Sequence, residues 1–147
     1  QKKKQQSPGE DDKSILYNDL DTESSDIDKE YEINKQVFQK LDSLIKRDEL
    51  YLSADLSRED LVRMAHMNNT RFAKMIKENT GTNLSGYINE LRLNHAIHLL
   101  KEHPEYTLRA IAEASGINSM PTFHSLFKNK TGMTPSEFKK TQMDMKQ

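Results

Sequence analysis

The chain has 147 residues, with 22 Lys and Arg set against 23 Asp and Glu for a formal net charge of −1, and it contains no cysteine. Such a length accommodates one domain plus a tail, and the missing thiols exclude a disulfide framework, a thiolate metal site and a cysteine nucleophile. No apolar run approaches the roughly 20 residues that span a bilayer, and no secretory hydrophobic segment is visible.

The balanced average hides an asymmetry. Residues 1–34 carry 5 Lys against 10 Asp and Glu, a net of −5, while residues 35–147 carry 17 Lys and Arg against 13 Asp and Glu, a net of +4. A body so mildly basic will not coat a polyanion indiscriminately; any phosphate contact must come from positioned donors. The chain opens on Gln1 rather than Met, which reads as a piece of something longer. The Lys2–Lys3–Lys4 cluster reads as a solvated chain end, with a juxtamembrane basic patch as the competing reading.

From Gln1 to about Ile27 the text is Ser, Asp, Glu, Lys, Pro and Gly with few apolar residues, too little to offset its ordering entropy, so residues 1–30 are predicted to be an acidic flexible linker. At 31–52 the apolar residues Ile33, Val37, Leu41, Leu44 and Ile45 fall on one helix face, a helical lead-in. Ser57 with Asp60 three residues on is a relaxed capping box. Asn68 caps the next helix, which stops at Gly81. A longer helix is predicted from Leu84 to about Lys101, with Leu84, Tyr87, Ile88, Leu91, Leu99 and Leu100 on its buried side; Pro104 forbids its continuation. Thr107 opens a short helix to Ser115, Gly116 turns the chain, and a helix from about Ser119 to Thr131 ends at Gly132. A last helix starts near Pro135 and leads to a tail at 142–147. No stretch alternates convincingly with a period of two, so the class is all-α.

The chain also repeats itself. Leu61-Val62 and Met67-Asn68 correspond to Ile111-Ala112 and Ile117-Asn118 at an offset of 50 residues. After one inserted residue the offset becomes 51, and Phe72, Ile76 and Lys77 match Phe123, Phe127 and Lys128. Both copies end in Lys-x-x-Thr-Gly-x-x-x-Ser, at Lys77–Ser85 and Lys128–Ser136. Each copy (57–81 and 107–132) reads as helix, tight turn, second helix: the helix-turn-helix unit, whose second helix can lie in the major groove of B-DNA. The predicted connecting helix, at about 27 Å, suits two such helices held roughly one DNA turn apart.

Between about residues 50 and 141 the sequence resembles the AraC/XylS family of bacterial transcription regulators, specifically its DNA-binding domain. The resemblance rests chiefly on Ile111-Ala-Glu-Ala-Ser-Gly116-Ile, Thr122-Phe-His-Ser-Leu-Phe-Lys128 and Lys130-Thr-Gly-Met-Thr-Pro-Ser-Glu-Phe138, with Leu91-Arg-Leu-Asn-His-Ala96 resembling the linker-helix signature. The leader and the 31–52 helix look like a juncture in large membrane-anchored sensors that end in this domain. The resemblance implies a bilobal fold of about seven helices over residues 53–141, binding promoter or operator DNA and meeting the transcription machinery in the cytoplasm. It implies base-facing residues Asn69, Thr70, Ala73 and Lys74 in the first unit and Met120, Pro121, His124 and Ser125 in the second. Two departures stand out: Ser125 occupies a place where members commonly have Arg, and His66 replaces the usual turn glycine.

Lys74 has the charge and position for a base or phosphate contact, and Arg71, Lys128 and Lys130 suit the phosphate backbone, with a solvated charge the equal alternative for Arg71. Capping competes as the role of Asn69 and Thr70, packing as that of Met120, a bland exposed imidazole as that of His124, and a place in the fold as that of Lys77 and Lys128. Phe72, Ile76, Phe123 and Phe127 read as core. His95, His98 and His103 lack the convergent partners of a metal site. No cofactor, small-molecule ligand or catalytic constellation is expected. The competing function is a helical interaction module, the Ile33–Ile45 stripe of its 31–52 helix pairing with another copy or with an upstream signalling helix; packing of that stripe onto the chain's own first lobe is the favoured alternative.

Overall fold

The computed structural model describes residues 11–145, with side chains described for 25–145. Seven α-helices and one short 3-10 turn make up these residues: α1 (Asp11–Arg47), the turn η1 (Leu50–Leu52), α2 (Arg58–Ala65), α3 (Asn69–Thr80), α4 (Leu84–Glu102), α5 (Leu108–Ala114), α6 (Met120–Thr131) and α7 (Pro135–Met145). Among the described residues there is no strand. The all-α class and the number of helices agree with the sequence reading.

Most borders fall where the punctuation puts them. Ser57 and Asp60 form a full capping box: the Asp60 amide donates to Ser57 Oγ at 3.1 Å and the Ser57 amide donates to Asp60 Oδ2 at 3.2 Å. Thr134 and Glu137 do the same ahead of α7, at 3.1 and 2.9 Å. Two borders move. The reading keeps residues 11–30 outside any helix, yet α1 begins at Asp11; no proline or glycine stands between Asp11 and Arg47 to interrupt it. The α7 helix likewise runs through Met145, beyond the predicted tail boundary at 142. Lys2–Lys4, Pro8 and the rest of 1–10 lie outside the described residues, as do 146 and 147.

The chain divides after Val37 into two units. In the first, Ile27, Tyr31 and Ile33 of α1 are exposed. In the second, Leu41 and Ile45 at the end of α1 are buried, and the Tyr87 hydroxyl donates to Asp42 while its ring meets Phe38 edge-on. Burial and the Asp42 carboxylate together push the Tyr87 phenol well above its ordinary range, so it stays a donor.

The duplication is physical as well as textual. Leu61 and Ile111, Phe72 and Phe123, Ile76 and Phe127 are buried pairwise. Gly81 and Gly132 share φ 79° and ψ −1°, the left-handed cap that ends each second helix. Just before them, Thr80 Oγ1 donates to the Ile76 carbonyl at 2.7 Å and Thr131 Oγ1 to the Phe127 carbonyl at 2.9 Å. The two copies therefore share one core pattern and one exit.

Helix α4 joins them. Its 19 residues extend about 28 Å. Tyr87 and Ile88 are its buried residues nearest α3, while Leu93, Ala96 and Leu100 enter the second core with Ile111, Ala112, Ile117, Phe123 and Phe127. The predicted buried side of α4 is thus partly wrong: Leu84, Leu91 and Leu99 are only half-buried. A helix packed on both sides lacks the single apolar stripe that the periodicity argument assumes.

The middle of α4 also holds the turns together. Arg92 Nε donates to the Tyr51 carbonyl at 2.7 Å and Nη2 to the Ser53 carbonyl at 2.8 Å. Gly116, at φ 83°, lies against the same place: a Cβ there would stand 2.7 Å from the Tyr51 oxygen and 3.0 Å from both the Leu52 oxygen and Arg92 Nε. In the first unit of the repeat His66 adopts the corresponding left-handed conformation, φ 56° and ψ 45°, so the turn geometry survives without glycine.

Gly116→Ala is predicted to lose on the order of 3 kcal/mol, from left-handed strain plus the clash with backbone oxygens, and His66→Gly to gain roughly 1 kcal/mol by relieving strain alone. Urea denaturation of the three proteins checks both signs. A second prediction concerns acid. Hydrogen bonds from the Ser57 and Thr134 amides, then from their hydroxyls, hold Asp60 and Glu137 below their ordinary carboxylate values. Their folded values being depressed, their stabilisation is present above the unfolded pKa range and is lost as pH falls through the folded values. Between pH 7 and pH 3 the double variant Asp60→Asn, Glu137→Gln should lose less of its urea midpoint than the parent does; an equal loss would discount the boxes.

Candidate nucleic-acid interface

Helices α3 and α6 are the second members of the two repeated units, and each buries one face and exposes the other. On α3 the buried residues are Phe72, Met75 and Ile76, which leaves Asn69, Thr70, Ala73 and Lys74 exposed. On α6 the buried residues are Phe123 and Phe127, which leaves Pro121, His124, Ser125 and Lys128 exposed. Spacing explains the division: core residues at i and i+4 put the intervening positions i+1 and i+2 on the outer face.

Both helices start from a residue outside that set. Asn68 Oδ1 accepts from the Arg71 amide at 2.8 Å, and Ser119 Oγ accepts from the Thr122 amide at 3.4 Å. Asn68 thus performs the capping that competed as a role for Asn69 and Thr70. Pro121 sits in the first turn of α6, where its missing N–H leaves no helical bond unmade.

The remaining expected residues separate into two groups. Arg71 is half-buried on the first turn of α3, and His124 is exposed with its ring 6.4 Å from that of Phe123. Lys74 is exposed at mid-helix. Met120, by contrast, is half-buried and packs against the second core, the fold role weighed for it above. The lysines at repeated positions have diverged: Lys77 Nζ donates to the Gly81 carbonyl at 3.0 Å and closes the end of α3, whereas exposed Lys128 helps hold Glu137 below its ordinary value, behind the Thr134 hydrogen bonds. Lys130 forms a 2.9 Å ion pair with Glu90 of α4. His103 stacks on Tyr106 with ring centroids 4.5 Å apart and bonds Glu105, while His95 lies edge-on to Tyr51.

One side chain at this surface has no counterpart in the sequence reading. Arg58, at the start of α2, reaches across the turn: Nε donates to Asn69 Oδ1 at 3.3 Å, Nη2 donates to the Asn69 carbonyl at 3.4 Å, and the guanidinium lies 5.3 Å from the centre of the Phe72 ring. A contact spanning 11 residues leaves no periodic trace. Only the pairing of a long cation at the start of one helix with a polar residue at the start of the next hints at it.

Two helix-turn-helix units fastened to a shared central helix define a tandem helix-turn-helix domain. Residues 61–141 match the family model described as a helix-turn-helix domain. The chain belongs to the AraC-type helix-turn-helix family of transcription-regulator domains, which are not enzymes. It is 39% identical over 80 residues to the uncharacterized transcriptional regulatory protein YesN of Bacillus subtilis, covering 54% of this chain and 22% of that protein. It is 31% identical over 91 residues to the HTH-type transcriptional regulator YobQ of the same organism, covering 62% and 37%. The chain therefore spans well under half the length of these relatives. Among solved structures, a transcriptional regulator from Chromobacterium violaceum, described as containing an AraC-type DNA-binding domain, superposes with a TM-score of 0.63 at 27% identity, covering 74% of this chain and 93% of that one. The C-terminal domain of the two-component response regulator yesN from Fusobacterium nucleatum shares the fold, with a TM-score of 0.63 at 22% identity, covering 71% and 98%. No helix among the described residues is long and apolar enough to cross a membrane.

Asn68→Ala is predicted to cost about 1 kcal/mol of stability and to speed hydrogen exchange at the Arg71 amide. Asn69→Ala should leave that amide protected. Equal exchange in the two variants would show that the cap is not where the geometry puts it.

Proposed function

We propose that this chain is the DNA-binding output module of a cytoplasmic transcription regulator, with α3 and α6 in successive major grooves on one face of a duplex. The observation that carries the proposal is the duplicated unit, repeated down to its threonine and glycine exits, with one exposed face on each second helix. Helix α4, at about 28 Å, is of a length to separate the two by about one turn of B-DNA, roughly 34 Å. In this reading Asn69, Thr70 and Lys74 of α3 and His124 and Ser125 of α6 meet base edges or adjacent phosphates. Arg71 and Lys128 meet the backbone, and Ala73 and Pro121 offer apolar contact to thymine methyl groups. The working DNA-binding unit runs from 53 to 141, and signal sensing and contact with the transcription machinery belong to the longer protein.

Self-association is the second reading, favoured by the exposure of Ile27, Tyr31 and Ile33 on α1. Leu41 and Ile45 of the predicted stripe are already buried within the second unit, which narrows any such seam to residues before Val37. Sedimentation of the chain with and without residues 1–37 separates a dimer through α1 from a monomer.

A footprint on a selected duplex is expected to show two contacted major grooves on one face, about one turn apart; one contacted groove would defeat the two-unit reading. Lys74→Ala and His124→Ala should each weaken binding by roughly 1–3 kcal/mol without lowering the urea midpoint. Wild-type affinity in either variant removes that residue from the interface.

A further inference from the structure

The contact between Arg58 and Asn69 bears on which base the first unit reads. We infer that Arg58 sets the polarity of Asn69, holding its amide oxygen so that the NH2 group is presented outward and addresses a hydrogen-bond acceptor, guanine in preference to adenine. This rests on the proposed placement of α3 in a major groove.

The chemistry is directional. An Asn side chain reads adenine by using both halves of its amide, the oxygen accepting from N6 and the nitrogen donating to N7. An arginine guanidinium has donors only, so the amide atom facing Arg58 Nε must be the oxygen; rotating the amide would set NH2 against N–H with no acceptor between them. The second prong, from Nη2 to the Asn69 carbonyl, fixes the guanidinium against the backbone of the same residue. The fully buried Phe72 ring, its centre 5.3 Å from the guanidinium carbon, adds a cation–π contact that helps hold Arg58 in place. Asn68 already supplies the helix cap, so Asn69 is not drawn back into its own first turn. What the amide offers without competition is its pair of N–H donors, because its oxygen already shares one lone pair with a cation. Guanine, whose N7 and O6 are adjacent acceptors, suits those donors better than adenine, which also needs the oxygen.

The test is selection of bound duplexes from a random pool by the full chain and by two variants. In Asn69→Ala one base-pair position should lose its preference, which identifies the pair facing this residue. The wild type should enrich guanine there, and Arg58→Met should move the preference toward adenine by about tenfold or more. Should Arg58→Met fail to fold, the wild type alone still decides the matter. Replacing that guanine by 7-deazaguanine removes an acceptor, which should weaken wild-type binding several-fold and leave Asn69→Ala unaffected. Enrichment of adenine by the wild type, an unchanged preference in folded Arg58→Met, or no position lost in Asn69→Ala overturns the polarity assignment and leaves the DNA-binding reading standing. No enrichment of any duplex by the wild type defeats that reading itself.

Discussion

The second turn of the repeat can meet the first lobe only because position 116 has no side chain. Gly116 stands where a Cβ would overlap the Tyr51 and Leu52 carbonyls, and Arg92 fills the polar side of the same junction by bonding the Tyr51 and Ser53 carbonyls. Burial pulls the Arg92 guanidinium below its usual value, yet an arginine remains a cation in any folded protein, so it answers the carbonyls without deprotonating. Three segments far apart in sequence, η1, the middle of α4 and the α5–α6 turn, thereby share one small polar contact. Each helix-turn-helix unit has its own apolar core, but their mutual placement is set here, and the proposed recognition of two grooves would depend on that placement.

Duplication has preserved some chemistry and released the rest. The threonine and glycine that end α3 and α6 keep their bonds and dihedral angles in both copies, because a helix exit is a local problem with few solutions. The turns differ. In the first copy a histidine bears the left-handed strain, while in the second a glycine is required by the neighbouring backbone rather than by φ alone. The repeated lysines have also parted: Lys77 closes its own helix, and Lys128 faces Glu137. Sequence identity between repeats therefore identifies what the fold needs and says little about what each surface does.

What the sequence reveals follows the range of the interaction. Caps act over three residues and core pairs over four, so the borders of α2 through α6 and the burial of Phe72, Ile76, Phe123 and Phe127 could be read from the text. The inner side of α4 could not, since Leu93 and Ala96 are buried by a second lobe that periodicity in one helix does not report. The start of α1 was missed because a charged, apolar-poor segment without proline or glycine satisfies both the linker and the helix descriptions. Arg58 was invisible for a different reason: its partners lie across a turn, where only geometry brings them within reach.

The distribution of cations completes the account of how so mildly basic a domain could recognise nucleic acid. Many of its positive groups are engaged internally: Lys46 with Asp42, Arg47 with Asp48, Arg63 with Asp60, Lys130 with Glu90, Lys139 with the Tyr106 carbonyl, Lys77 with Gly81 and Arg92 with η1. Exposed pairs of this kind add little to stability. Their larger effect is on the field, since a lysine beside a carboxylate contributes little long-range attraction for phosphate. Within the proposed complex, Lys74 and Lys128 then lie on the exposed faces of α3 and α6, where charge positions the helix and amides, hydroxyls and an imidazole discriminate. On that proposal the domain gains little from non-specific electrostatics and draws its affinity from fit, which is the condition under which fixing the orientation of a single amide can alter the sequence it prefers.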